Sequence, residues 1–345
     1  MKLTRLTDAN QKGVSLWYET TMRHIVLHLT PLSIAAKFSK IVSSPERTWV
    51  FTSATLMVGD GFEHFQRQMG LQHAKTLSLD SPFNYQKQAM LCVPRFLPEP
   101  NAREMRQTLL DISLKLIAAS GGRCFLLFTS HATLRAIAAM LEDKVDNQIL
   151  VQGTTTKRAL LESYVNSDNA VLLGTGAFWE GVDVRGNDLT CVLIDKLPFA
   201  SPDDPLLQAR IEDCRKAGGN PFAQLQIPQA AIALKQGAGR LIRDETDRGV
   251  LVICDNRLVT KDYAKTFLRS LPDMQRTRHL PNALAFLEEI HEDAQQANKA
   301  LKANKQLADE QNLQAVKAAA EQAEEGRSAP ANTADTSDIL KKETQ

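Results

Sequence analysis

The sequence predicts an α/β fold in which a parallel β-sheet is covered by helices on both faces and is followed by a helical tail. Two observations lead to this prediction. Short, wholly apolar segments of strand length recur between residues 89 and 254, and segments with helical apolar spacing alternate with most of them. Residues 283–325 are instead rich in Ala, Gln, Glu and Lys, which favours a solvated helix.

The composition is that of a globular protein without a strong overall charge. Of the 345 residues, 43% are hydrophobic and 23% are charged, and the formal net charge is +1. A nucleic-acid partner would therefore have to be held by a local groove. No apolar segment has the length of a membrane span, so we expect a cytoplasmic protein that does not contact a membrane.

The five cysteines are scattered along the chain, without a CxxC pair. Cys92, Cys124 and Cys254 lie in or beside apolar runs, which is typical of buried, reduced thiols. We therefore expect this chain to bind no metal ion or cluster.

The first hundred residues show few regular elements. Residues 1–47 form a short mixed segment without a core of its own, and a strand is predicted at Thr48–Phe51. Gly59–Gly70 has the apolar spacing of a helix. Residues 71–100 are predicted to be irregular, apart from a short strand around Met90–Val93.

From Asn101 onward the pattern is regular. Asn101 is predicted to cap a helix that ends at Gly121 and Gly122. The predicted strands are Cys124–Phe128, Ile149–Val151, Ala170–Leu173, Thr190–Ile194 and Val250–Cys254. The predicted helices lie at about 130–141, 156–165, 205–217 and 228–240.

The segment Gln236–Arg243, with the sequence QGAGRLIR, carries the strongest functional signal. It continues a helix-forming stretch, so Gln236, Arg240 and Arg243 are predicted to lie on one helical face. Its two glycines each cost a helix roughly 1 kcal/mol relative to Ala, which indicates a close backbone approach there. Two arginines beside a glutamine suit a polyphosphate. The alternative is a surface helix whose last arginine pairs with the acids that follow it.

The segment Gly174–Asp183 directly follows a predicted strand, at the edge where open α/β sheets bind ligands. Its glycines leave backbone N–H groups for a phosphate, and Glu180 and Asp183 could orient water, a ribose or the arginines. The alternative is a plain turn between strand and helix. The pair Phe178-Trp179 could stack on a nucleobase, but we expect it to belong to the core.

Weaker candidates also follow predicted strands. Ser53 and Thr55 could bridge a nucleotide site and a neighbouring domain, although such hydroxyls often only cap a turn. Thr129 and Ser130 open a helix and could anchor a phosphate, but helix capping by Ser130 explains them equally well. Lys196 is a candidate for a phosphate contact.

Taken in order, these segments resemble the superfamily 2 helicases of the XPD/DinG type. Ser53–Thr55 looks like motif III, Leu127–Ser130 like motif IV, Gly176–Asp183 like motif V, and Gln236–Arg243 like motif VI. The sequences IDKLPF at Ile194–Phe199 and DNR at Asp255–Arg257 narrow the resemblance to DinG-like enzymes, although the acid and base of DNR could simply pair with each other. The resemblance covers about residues 15–275.

The resemblance implies a RecA-like second motor domain at 58–275. A remnant of the first motor domain would precede it at 1–57, and a helical, then disordered tail would follow at 276–345. The implied activity is an ATP-dependent DNA helicase that moves 5′ to 3′ along single-stranded DNA during repair or replication. Its partners would be single-stranded DNA, the missing N-terminal motor domain, and a replication or repair protein.

The resemblance also implies the roles of individual residues. The residues at the reacting ATP phosphate would be Arg240, Arg243 and Gln236. The other nucleotide-binding residues would be Gly239, Glu180 and Asp183. The residues that couple the two sites would be Ser53 and Thr55. The residues on the DNA backbone would be Thr129, Ser130, Thr175, Gly176 and Lys196.

The sequence departs from the family pattern, because it contains neither a GxxxxGK[ST] loop nor a DEAH box. ATP and Mg²⁺ would need the missing first motor domain to complete their site, and the family's [4Fe–4S] cluster would find no ligands here. We interpret the chain as a fragment, a natural truncation or the product of a split gene, inactive by itself. A non-catalytic DNA- or partner-binding module and half of an RNA helicase remain alternatives.

Overall fold

The computed structural model describes residues 13–179, 184 and 188–325. The chain divides into two compact units, the first ending at His291 and the second beginning at Glu292. No helix of the described residues is long and apolar enough to cross a lipid bilayer.

The N-terminal segment is a hairpin followed by two helices. Strand β1 (Val14–Thr20) pairs antiparallel with β2 (Ile25–Pro31), and helices α1 (Ala35–Val42) and α2 (Glu63–Met69) follow. The prediction of a strand at Thr48–Phe51 is wrong. These residues have no strand partner in the described part of the chain and the side chain of Val50 is 80% exposed, so an apolar run alone did not make a strand.

A seven-stranded sheet lies at the centre of the first unit. Its strands are β3 (Ala89–Cys92), β4 (Cys124–Leu127), β5 (Ile149–Val151), β6 (Val171–Gly174), β7 (Cys191–Ile194), β8 (Gly249–Ile253) and β9 (Gln275–Thr277). Their spatial order is β5-β6-β4-β7-β8-β3-β9, and the neighbouring strands pair parallel. The predicted parallel sheet is therefore confirmed, with β9 as an additional strand.

Helices connect most of these strands. In chain order they are α3 (Tyr85–Gln88), α4 (Met105–Ser120), α5 (His131–Leu141), α6 (Lys157–Val165), α7 (Gly176–Trp179), α8 (Pro205–Lys216), α9 (Ile227–Ala238), α10 (Arg257–Thr260), α11 (Ala264–Ser270) and α12 (Leu280–Glu325). A π-helical turn, Phe222–Gln226, leads directly into α9.

Both faces of the sheet are buried, which explains the apolar strands. Phe125 and Leu127 of β4 belong to one hydrophobic cluster, together with Leu234 of α9. Leu126 belongs to a second cluster, together with Leu116 of α4 and residues of α5 and α12. Because successive strand side chains point to opposite faces, this division places a helical layer on each side.

The start of α4 differs from the prediction. Its N-terminal cap is Glu104, so the prediction that Asn101 caps it is wrong. The side chain of Asn101 instead accepts a hydrogen bond from Lys196 Nζ at 3.2 Å, because the intervening residues form a turn before the helix begins. The predicted end is confirmed. Gly121 and Gly122 have φ angles of +65° and +90°, which glycine adopts without strain.

The last helix, α12, begins in the first unit and continues into the second. Ala283 and Leu287 are buried against the sheet cluster of the first unit. From Glu292 to Glu325 the described part of the second unit is helical, as predicted for this composition. The predicted disorder after Gly326 lies outside the described residues.

Candidate nucleotide and nucleic-acid site

Polar residues collect at the carboxyl edge of the sheet. Thr129 lies just beyond β4, Thr175 beyond β6, Lys196 beyond β7 and Asp255 beyond β8. These four strands are neighbours in the order β6-β4-β7-β8, so their ends form one continuous edge. The structure thus brings together three of the residues predicted to contact DNA, at the edge where such sheets bind ligands.

Asp195 joins two of these strand ends. Its carboxylate accepts hydrogen bonds from the backbone N–H of Thr129 at 2.9 Å, the hydroxyl of Thr129 at 3.2 Å and the backbone N–H of Lys196 at 2.8 Å. The residue is only 3% exposed. Burial raises the pKa of this carboxyl to about 6, although the hydrogen bonds and Lys196 oppose the shift. Asp195 was not predicted as a site residue.

Asp255 has a similar role at the end of the neighbouring strand, β8. Its carboxylate accepts from the backbone N–H of Leu197 at 2.8 Å and forms an ion pair with Arg257 at 2.6 Å. Asp255 is fully buried, and the guanidinium of Arg257 also lies 5.4 Å from the ring centre of Phe199. The interpretation that the acid and base of DNR pair with each other is confirmed.

Thr175 is positioned by Gln152, which follows β5. The side-chain oxygen of Gln152 accepts from the backbone N–H of Thr175 at 2.6 Å and from its hydroxyl at 3.1 Å. The hydroxyl also lies 3.4 Å from His131 Nε2. Thr175 is buried, whereas Gly176 is exposed. The predicted DNA-binding roles of both residues remain predictions.

Ser130 caps α5. Its hydroxyl accepts from the backbone N–H of Thr133 at 3.1 Å and lies 2.8 Å from the hydroxyl of Thr133. The capping alternative is therefore confirmed, and a contact of Ser130 with DNA remains a prediction.

The arrangement predicted for the Gln236–Arg243 segment is wrong. Helix α9 ends at Ala238, and Gly239 follows with a φ of −67° and a ψ of 1°. Arg240 lies in a turn and Arg243 lies beyond it, so these arginines do not share a helical face with Gln236.

A buried carboxylate explains why the helix stops. Asp247 Oδ2 accepts from the backbone N–H of Arg243 at 2.7 Å and from that of Asp244 at 2.9 Å. These bonds hold the chain in a non-helical turn and outweigh the local preference for helix. The glycines before the turn had already weakened that preference.

The motif VI segment packs directly against the motif V segment. A Cβ atom at Gly237 would lie 3.0 Å from Cε3 of Trp179, so the predicted close approach is confirmed at this glycine. Arg240 Nε donates to the backbone carbonyl of Trp179 at 3.1 Å. Phe178 and Trp179 are buried, which confirms that they belong to the core.

The roles predicted for two further pairs of residues do not follow from the structure. Glu180 and Asp183 lie outside the described residues. Ser53 is exposed and Thr55 is half-buried, and their hydroxyl oxygens lie 3.1 Å apart in a local turn. The nucleotide-binding and coupling roles of these residues remain predictions.

The cysteines do not fit an iron–sulfur cluster. Cys92, Cys124, Cys191 and Cys254 are free and buried within the sheet clusters. Burial raises the pKa of the Cys92 thiol to about 12, which disfavours the thiolate that a metal needs. In the described part of the chain, no three His, Cys, Asp or Glu side chains form a group that could hold a metal ion.

Comparisons with known proteins agree with this geometry. Residues 113–274 match the helicase C-terminal domain family. The chain is 52% identical to the ATP-dependent DNA helicase YoaA of Escherichia coli over 83% of its length, and 51% identical to YoaA of Haemophilus influenzae over 84%. It is 36% identical to the ATP-dependent helicase DinG of Mycobacterium tuberculosis over 80% of its length. The chain spans less than half of these relatives, namely 45%, 45% and 42%.

The fold has a solved counterpart. An XPD helicase structure covers 76% of this chain with a TM-score of 0.56 and 18% identity, and 48% of that structure is matched. This likeness confirms the RecA-like fold. The identities confirm the resemblance to the C-terminal part of XPD/DinG-type helicases, and to DinG-like enzymes such as YoaA in particular.

Proposed function

Residues 113–274 belong to the helicase C-terminal domain family, in a chain similar to the C-terminal part of XPD/DinG-type helicases, and from this premise we propose a second motor half. The complete enzyme would couple ATP hydrolysis to movement along single-stranded DNA, 5′ to 3′, in repair or replication. The names of the relatives, ATP-dependent DNA helicases, support this proposal.

The observation that carries the proposal is the contact between Arg240 and the end of α7, the short helix after β6. Arg240 Nε donates to the carbonyl of Trp179, and Gly237 lies against the same indole ring. Helix α7 follows directly on Thr175, which lies on the edge proposed for DNA. A shift of Arg240 on binding a phosphate would therefore be transmitted to that edge through direct contacts.

ATP binding would use the arginines of this segment. The guanidinium groups of Arg240 and Arg243 would donate to the γ-phosphate and stabilise the negative charge that develops there, with Gln236 and Gly239 beside them. Mg²⁺ and the phosphate-binding loop would come from the first motor domain, and the same domain would meet Ser53 and Thr55. This chain alone is therefore proposed to be inactive. A cytoplasmic location, where bacterial DNA and ATP are found, belongs to the proposal.

A chimeric enzyme tests the proposal. The segment of E. coli YoaA that aligns with this chain is replaced by this chain, and ATP hydrolysis and unwinding are measured with DNA and with RNA. We expect ATP hydrolysis that DNA stimulates and RNA does not, together with unwinding of a tailed duplex. A chimera that binds DNA but never hydrolyses ATP would favour a binding module, and stimulation by RNA alone would favour an RNA helicase.

A further inference from the structure

A small polar cavity opens at the carboxyl edge of the sheet, beside the end of β7. Its volume is about 180 Å³. Asn101 lines it from the turn before α4, Arg106 from the start of α4, Thr133 from α5, and Asp195 and Lys196 from the loop after β7. Three segments that are distant in sequence therefore contribute polar side chains to one depression.

The donors in this cavity are suited to an anion. Lys196 Nζ donates to Asn101 Oδ1 at 3.2 Å, and this hydrogen bond uses one of the three donors of the ammonium group. Arg106 is exposed at the rim, and its guanidinium offers a planar set of donors. The hydroxyl of Thr133, which lies 2.8 Å from that of Ser130, adds a third polar group.

The charged side chains that line the cavity would be balanced by one negative group. Asp195 supplies one negative charge, but its oxygens already receive three hydrogen bonds from Thr129 and Lys196. Lys196 and Arg106 supply two positive charges. The net charge of these three side chains is therefore +1, which matches a single phosphodiester.

We propose that Lys196 and Arg106, with Asn101 and Thr133, form a subsite for one phosphate of a single-stranded DNA backbone. This inference rests on the proposed function, which places DNA along this edge. It adds Arg106, Asn101 and Thr133, none of which belongs to a helicase motif quoted above. Because the subsite contacts a phosphate and no base edge, it contributes affinity without sequence preference.

Fluorescence titration of the purified chain with labelled oligo(dT) at several salt concentrations tests the subsite. Removing one cationic contact with a single-strand phosphate makes the slope of log K against log [salt] less negative by about 0.7, which corresponds to roughly fivefold weaker binding at 0.1 M salt. We expect this change for Arg106→Gln and for Lys196→Gln. Arg103→Gln is the matched control, because Arg103 is exposed in the same turn but does not line the cavity. Thermal unfolding verifies that each variant is folded.

The outcomes separate the subsite from the proposed function. If wild type binds oligo(dT) and both cavity variants have the same slope of log K against log [salt] as wild type, the proposed subsite is wrong. The proposal that DNA binds along the carboxyl edge of the sheet is then unaffected. If wild type does not bind oligo(dT), the subsite is wrong, and the chimera decides the proposed function separately. Inorganic phosphate added at constant ionic strength is expected not to displace the strand. Displacement by millimolar phosphate would assign the cavity to the free ion and overturn the subsite.

Discussion

The hydroxyl and the backbone N–H of Thr129 both donate to the carboxylate of Asp195, at 3.2 Å and 2.9 Å. One buried acid thus fixes the residue that ends the motif IV strand and, through the N–H of Lys196, the loop after the neighbouring strand. The positions of both predicted DNA contacts depend on a side chain that is itself almost fully buried.

This acid predicts a pH dependence of stability. The folded-state pKa of Asp195 is about 6, above the 3.8 that is usual for an aspartate, so between these values the folded chain holds a proton that the unfolded chain has released. The free energy of unfolding should therefore fall as pH rises through this window, by roughly 3 kcal/mol from this group. In Asp195→Asn the free energy of unfolding should lack this part of its decrease with pH. Urea unfolding from pH 4 to pH 7 measures it, and parallel curves for the two proteins would contradict the prediction.

The buried pair of Asp255 and Arg257 predicts a large loss on truncation. Asp255→Ala leaves Arg257 and the N–H of Leu197 without their carboxylate partner, and we expect a loss of about 3–5 kcal/mol in the free energy of unfolding. The control is Asp60→Ala, because the pair of Asp60 with Arg269 is exposed. Its loss should stay below about 1 kcal/mol. Similar losses for both variants in urea unfolding would show that burial is not the deciding factor.

Gly174, at the end of β6, and Gly176, at the start of α7, predict opposite effects of a methyl group. A Cβ atom at Gly174 would lie 2.9 Å from three atoms of Phe178, so Gly174→Ala should destabilise the fold by about 1–3 kcal/mol. A Cβ atom at Gly176 meets no heavy atom within 4 Å, and Ala is the better helix former. Gly176→Ala should be neutral or up to about 1 kcal/mol stabilising. Thermal melts compare the two, and a reversed order would contradict the packing described for Phe178.

The sheet was predictable because its strands are buried on both faces. Segments such as Cys124–Leu127 have no polar residue, which is the pattern of a strand that is buried on both faces of a parallel sheet. Strand β9 was missed because its residues, Gln275–Thr277, are polar and lie at the sheet edge. The strand prediction for Thr48–Phe51 failed for the opposite reason. The segment has the apolar pattern of a strand, but it pairs with no strand among the described residues.

The site was predictable only as far as local sequence determines it. The positions of Thr129, Thr175 and Lys196 follow from strand ends. The role of Asp195 does not, because its partner Thr129 lies 66 residues away. The predicted continuation of α9 through Arg243 was wrong for a similar reason. Asp247 imposes a turn on a segment that local propensity assigns to a helix.

The most direct measurement of the central claim is the turnover of ATP by the YoaA chimera carrying Arg240→Ala. A guanidinium that stabilises the reacting phosphate predicts a fall in kcat of about 10³–10⁵. The control, Arg215→Ala, changes an exposed arginine of α8 and should leave kcat near that of the parent chimera. An unchanged kcat in Arg240→Ala, or ATP hydrolysis by the purified chain alone that this substitution abolishes, would contradict the assignment of this chain as the second motor half.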